Sequence, residues 1–156
     1  MRKNILLEII ISLIMVLFLY TAASKLIDFR GFAAAMRNQV FPNRFVPALI
    51  IILPTIEILT SVALIFEKSR ILGLLSSVSL MTIFTLYVGM VMMHFFHRVP
   101  CSCGGVIKHM SWGLHLGLNL FYLMISLVGL ILQIQKQKQI KFYCTIKQPD
   151  LQSGQG

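Results

Sequence analysis

Four long apolar runs, each with at most one charged residue, decide what this chain can fold into. They cover residues 5–24, 45–66, 71–96 and 110–134. Each is close to the ~20 residues that cross a bilayer as a helix. A water-soluble core in a chain of 156 residues needs no such set. Composition agrees: 12% of the residues are charged, against about 25% in soluble domains. The expected fold is therefore all-α, a four-transmembrane-helix bundle in a single domain over residues 1–135. A polar, basic tail follows over 136–156, its last residues (148–156) poor in the apolar groups that order a chain.

The net charge of +9 would point to nucleic acid in a soluble protein. Here the basic residues sit in loops and tails, and no basic face with interleaved aromatics accompanies them. Nucleic acid is excluded as a partner on that ground, and the lipid bilayer takes its place.

The first run follows Arg2 and Lys3, and Thr21-Ala22-Ala23 resembles a cleavage site. Its length and the acid Glu8 inside it favour a retained helix over a cleaved signal peptide. Glu8 is expected to snorkel to the near interface. In residues 25–44, Phe29, Phe32, Met36 and Val40 follow helical spacing, as in an interfacial helix. The turn Glu67-Lys68-Ser69-Arg70 is short, which makes the second and third spans an antiparallel hairpin.

Four spans put both termini on one side. That side carries eight basic residues: Arg2, Lys3, Lys68, Arg70, Lys136, Lys138, Lys141 and Lys147. The other carries six: Lys25, Arg30, Arg37, Arg44, Arg98 and Lys108. The positive-inside rule then places both termini in the cytoplasm. The third loop faces outward, where disulfides persist.

That loop holds the most informative chemistry, Cys101-Ser102-Cys103. Two thiols one residue apart close a very small disulfide ring, and strained disulfides are the more oxidising ones. Ser102, Gly104 and Gly105 leave the backbone free to bend around the sulfurs. Arg98, Lys108 and His109 bring positive charge near them in sequence, which favours the reactive thiolate. The plainer alternative is two inert loop cysteines. Cys144 has no partner in sequence and receives no role.

Three stretches resemble a known family. Tyr20-Thr21-Ala22-Ala23-Ser24-Lys25-Leu26-Ile27-Asp28-Phe29 after the first span, and Pro54-Thr55-Ile56-Glu57 in the second, are similar to DoxX-like membrane proteins. Pro100-Cys101-Ser102-Cys103-Gly104-Gly105, followed by Trp112, His115 and Asn119, resembles the MauE branch, the methylamine-utilisation protein E type. The resemblance covers about residues 13–130. It implies a four-helix membrane protein linked to redox maturation, specifically to disulfides in the small subunit of methylamine dehydrogenase. Some relatives carry Phe-Gly after the cysteine pair where this chain has Gly104-Gly105, a difference that bears on the partner more than on the chemistry.

The fourth span adds a polar stripe. Trp112, His115, Asn119 and Tyr122 fall on one helical face, and polar residues inside a membrane usually face the bundle interior. The stripe is read either as helix–helix hydrogen bonding or as a site at which His115 bonds a membrane quinone or shuttles a proton. Glu57 stands near mid-membrane by rise per residue, either protonated or paired with Lys25 or His115. His115, Asn119, Glu57 and Trp112 are thus the candidate cofactor-binding residues, and Cys101 and Cys103 the catalytic ones.

The function expected is thiol–disulfide exchange with an extracytoplasmic thiol-bearing client or a thioredoxin-like partner, at a bacterial inner membrane. Two other classes remain. Met90, Met92, Met93, His94, His97, Cys101 and Cys103 are ligand types that suit Cu or Zn, although methionines also simply fill membrane helices. A non-catalytic assembly factor is the other alternative.

Overall fold

The computed structural model describes residues 2–39, 42, 44–93 and 112–147. Among these every element is a helix: α1 (Arg2–Ile27), α2 (Phe29–Arg37), α3 (Val46–Ile65), α4 (Arg70–Met92) and α5 (Trp112–Lys147). Four of them, over Ile5–Ile27, Val46–Ile65, Arg70–Met92 and Gly113–Gln139, are long and apolar enough to cross a membrane. All backbone groups of a helix bond within the segment, which is what a spanning element needs in lipid. The chain is an integral, multi-pass membrane protein.

The long helices form a ring in the order α1, α3, α4, α5, with α5 closing back on α1. One end of the ring carries the α3–α4 turn and the N-terminus. The opposite end carries the chain between Met93 and Trp112, and is called the loop end below.

Two glycines set the closest approaches. A Cβ on Gly73 of α4 would lie 2.9 Å from the Leu64 side chain of α3. One on Gly129 of α5 would lie 2.8 Å from Ile10 of α1 and 3.2 Å from Leu74 of α4. Small residues let membrane helices pack this closely. Around them Leu7, Ile10, Ile11, Ile14, Leu64 and Leu74 fill the half of the bundle near the turn. Midway, the Ser77 and Ser126 hydroxyls bond each other at 2.8 Å between α4 and α5, both fully buried.

The expected interfacial helix exists as α2 but does more than lie at a surface. Asp28 caps it, its carboxylate accepting from the Gly31 N–H at 3.0 Å. Phe32 and Met36 are buried against Val46 and Ile50 of α3, while Phe29 stays half exposed. An i, i+4 pair suffices for that contact, so Phe29 is left over. At the far end of α2 the Tyr87 hydroxyl of α4 donates to the Gln39 side-chain oxygen, tying the short helix across to a third element.

Three sequence expectations shift. The third span ends at Met92 within the described residues, and the expected 93–96 end falls largely outside them. Helix α5 continues without a break to Lys147. At 1.5 Å per residue its 36 residues run about 54 Å, well past the ~30 Å hydrocarbon core. Glu8 is half exposed but not simply reaching for water. Arg70 donates to both its oxygens, at 2.6 and 3.1 Å, across the ring from α4.

Candidate functional site

The best-defined chemistry in the described bundle is an ion pair. Glu57 stands eight residues from the Ile65 end of α3 and eleven from Val46. At about 1.5 Å per residue that places it ~12 Å and ~16 Å from the two ends, deep in the span. Lys25, two residues before α1 ends, does not reach outward from there. Side chains on a helix lean toward its N-terminus, and Lys25 Nζ turns back to the Thr21 carbonyl at 3.3 Å. In that position it donates to Glu57 Oε1 at 2.8 Å and Oε2 at 3.1 Å. The ammonium has three protons and three acceptors, so its donors are all used. Lys25 and Glu57 are 8% and 2% exposed. The Phe32 ring of α2 lies on a further side, 5.9 Å from Nζ to its centroid.

Pro54, buried one turn nearer the loop end on α3, has no N–H to give. The Ile50 carbonyl therefore loses its helical donor beneath α2. Below the acid, Ser61 Oγ donates to the Glu57 backbone carbonyl at 3.0 Å.

On α5 the polar stripe keeps its face. His115, Asn119 and Tyr122 are partly buried, whereas Leu114 and Leu118 beside them are exposed. Asn119 Nδ2 is buried with no hydrogen-bond partner among the described residues. A buried, unmatched amide N–H costs about 1–3 kcal/mol. Trp112 opens α5, one turn before His115.

The structure thus brings Glu57 to Lys25, one of the two basic partners named from sequence. It sets His115 and Asn119 on another helix, and no hydrogen bond among the described residues joins them to Glu57. Helices α1 and α4 stand between α3 and α5 in the ring. A groove of about 520 Å³ runs along α1 instead, lined by Ile5, Glu8, Ile9, Ser12, Leu13 and Val16, toward the turn. Cys101, Cys103, His94 and His97 lie outside the described residues. Among those described, no three His, Cys, Asp or Glu gather as metal ligands. Met92 and Met93 project outward, 39% and 83% exposed.

Sequence reasoning gave Arg70 a part only in topology. The structure makes it a buried partner of Glu8, with Glu67 3.6 Å away. Gln133, 3% exposed, is a further buried polar side chain, inside the fourth apolar run. The available signal was position: an arginine directly at a helix start after a tight turn, and a glutamine inside the last turn of an apolar run.

A family model described as methylamine utilisation protein MauE matches residues 3–132. The chain belongs to the MauE family. The match takes in α1 through most of α5, so it covers the Lys25–Glu57 pair, the cysteine loop and the α5 stripe of this MauE-family protein together. Neither the curated proteins nor the solved structures contain a match.

Proposed function

We propose that this MauE-family protein is a membrane thiol–disulfide redox protein, with Cys101 and Cys103 as its reacting pair. The observation that carries the reading is the Cys-Ser-Cys spacing in the chain that joins α4 to α5. The loop end is assigned to the extracytoplasmic side of a bacterial inner membrane, with both termini cytoplasmic, on the eight-to-six basic bias.

In the first half-reaction a client thiolate attacks the Cys101–Cys103 disulfide. The loop S–S bond breaks, one S–S bond forms in the client, and the loop keeps two thiols with the client's two protons. The client is an extracytoplasmic dithiol protein, of the methylamine dehydrogenase small-subunit type by family, or a thioredoxin-like carrier. The second half-reaction removes two electrons and two protons from the loop. A membrane quinone would supply the two-electron sink.

The α5 stripe suits such a group. Asn119 Nδ2 is a buried donor in want of an acceptor, and a quinone presents carbonyl oxygens. His115, one turn nearer the loop, would hold the same oxygen and hand it a proton. Trp112 would flank the entry from the loop end. Glu57, held by Lys25, stays apart from that oxygen on α3.

Thiol trapping in intact cells with a membrane-impermeant reagent tests the reading. Cys101 and Cys103 should resist labelling until a reductant is added, and mass spectrometry should show a two-hydrogen change on one peptide. C101S/C103S should leave the client dithiol reduced. A pair that stays reduced under oxidising conditions, or a client oxidised normally by the variant, would show a scaffold instead.

A further inference from the structure

Helices α4 and α5 pack along one seam whose register can be followed pair by pair. Ser77 meets Ser126, hydroxyl to hydroxyl, at 2.8 Å. Three residues nearer the turn on each helix, a Cβ on Gly129 would lie 3.2 Å from the Leu74 side chain. Seven residues further on each, Lys136 Nζ stands 3.3 Å from Glu67 Oε1. Every step along α4 is matched by an equal step along α5, as antiparallel packing requires. Positions three and four apart share a helical face. The seam therefore has one more layer, four residues beyond Leu74 and four beyond Gly129. Its members are Arg70 and Gln133.

These two side chains each hold an unmatched polar atom. Arg70 Nε and Gln133 Oε1 are buried with no hydrogen-bond partner among the described residues, in residues only 9% and 3% exposed. The rest of the guanidinium is committed. Its Nη1 and Nη2 donate to the two Glu8 oxygens of α1 at 2.6 and 3.1 Å, which fixes the plane of the fork. The Nε hydrogen is left to be given elsewhere, and Gln133 Oε1 is an acceptor on the same layer. The two do not bond each other. What joins them must accept from one and donate to the other. It is uncharged, because Arg70 and Lys136 already meet the carboxylates of Glu8 and Glu67. It is also small, because both atoms are sealed inside the seam.

We propose that Arg70 and Gln133 form a binding site for one structural water, which accepts from Arg70 Nε and donates to Gln133 Oε1. Buried waters take up such otherwise unmatched groups and need roughly two to four polar partners. The chain Glu8–Arg70–water–Gln133 then ties α1, α4 and α5 together at the turn end. It also sets the height of α5. A slide of one turn would place Arg70 against Gly129, which offers no side-chain acceptor, or against Lys136, a like charge. A single buried polar layer is known to fix helix register in this way. The site is independent of the redox reading of the cysteine pair.

Proton-detected solid-state NMR of the isotope-labelled full chain in liposomes tests the site. The Arg70 Nε–H signal, identified as the one missing from R70K, should show a through-space cross-peak to water. Its hydrogen should exchange into deuterated buffer about tenfold more slowly than that of exposed Arg30, as a buried donor does. That combination marks held water and not bulk solvent. The cross-peak should be lost in Q133M, which keeps the side-chain length and removes the acceptor. The absence of a water cross-peak, a cross-peak to Gln133 in its place, its survival in Q133M, or exchange as fast as that of Arg30 would each overturn the proposal.

Unfolding in one detergent supplies a second measurement. R70K keeps a cation for Glu8 but has no Nε. Its loss and that of Q133M should be less than additive in R70K/Q133M, with a coupling of about fivefold in the unfolding constant. Additive losses would overturn the shared site. Should R70K not fold, sequential assignment supplies the Arg70 signal, and the wild-type and Q133M spectra decide.

Discussion

Lys25 and Glu57 meet 32 residues apart in sequence, with one ammonium bonded to both carboxylate oxygens at 2.8 and 3.1 Å. Neither group touches water to any extent. Removing one partner strands the other charge in a low-dielectric interior, at about 3–5 kcal/mol. E57L and K25M should therefore each lower stability in detergent markedly. K25M/E57L should recover most of it, since replacing both is close to neutral. A thermal or chaotrope unfolding cycle on the four proteins measures the coupling. Additive losses in the double variant would mean the two side chains do not depend on each other.

The close approach at Gly129 is the second point where one atom decides. Ile10 and Leu74 already stand where its side chain would begin. G129L overfills a packed site, and such changes cost about 1–3 kcal/mol. G113L, at a position with open space around it among the described residues, should cost far less. Unfolding midpoints of the two variants in the same detergent give the comparison, and equal shifts would contradict the packing of α5 on α1 and α4.

Much of this architecture was legible beforehand because hydropathy speaks directly to span number. The four apolar runs gave four helices, and the short Glu67–Arg70 turn gave the α3–α4 hairpin. The face shared by His115, Asn119 and Tyr122 followed from a period of about 3.6. Partnerships were less legible. Glu57 had two basic candidates, and only the backward lean of Lys25 onto Thr21 chooses between them. Glu8 looked like a residue reaching for the interface. Nothing local to residues 5–12 announces Arg70, 62 residues away. Period alone marked Phe29, Phe32, Met36 and Val40 equally; α3 covers Phe32 and Met36 but not Phe29, and Val40 lies outside the described residues.

Orientation follows from basic residues beside short loops. The Lys68 and Arg70 turn and the C-terminal flank of α5 carry the weight. A reporter fused after Gly156 should be active in the cytoplasm. The same reporter placed in the chain between Met93 and Trp112 should be active only on the opposite side. A reversed pattern would put the cysteine pair on the reducing side and remove the ground for disulfide chemistry there.

The stripe on α5 offers the sharpest separation between chemistry and packing. Asn119 Nδ2 is buried without a hydrogen-bond partner among the described residues, so the amide gives the isolated bundle little. His115 is partly buried one turn above it. If the two only tied helices together, removing them would loosen the bundle. If they serve a bound acceptor, the outcome differs at both positions. N119L should be stable or slightly stabilised, because an unmatched polar group costs more when buried than an apolar one of its shape. H115A should insert and fold normally. In both, Cys101 and Cys103 should accumulate as the dithiol, since electrons no longer leave the loop. Gel-shift trapping of the loop thiols, alongside unfolding midpoints, reads both properties in one preparation. Destabilised variants with normal thiol cycling would make the stripe structural and remove it from the site.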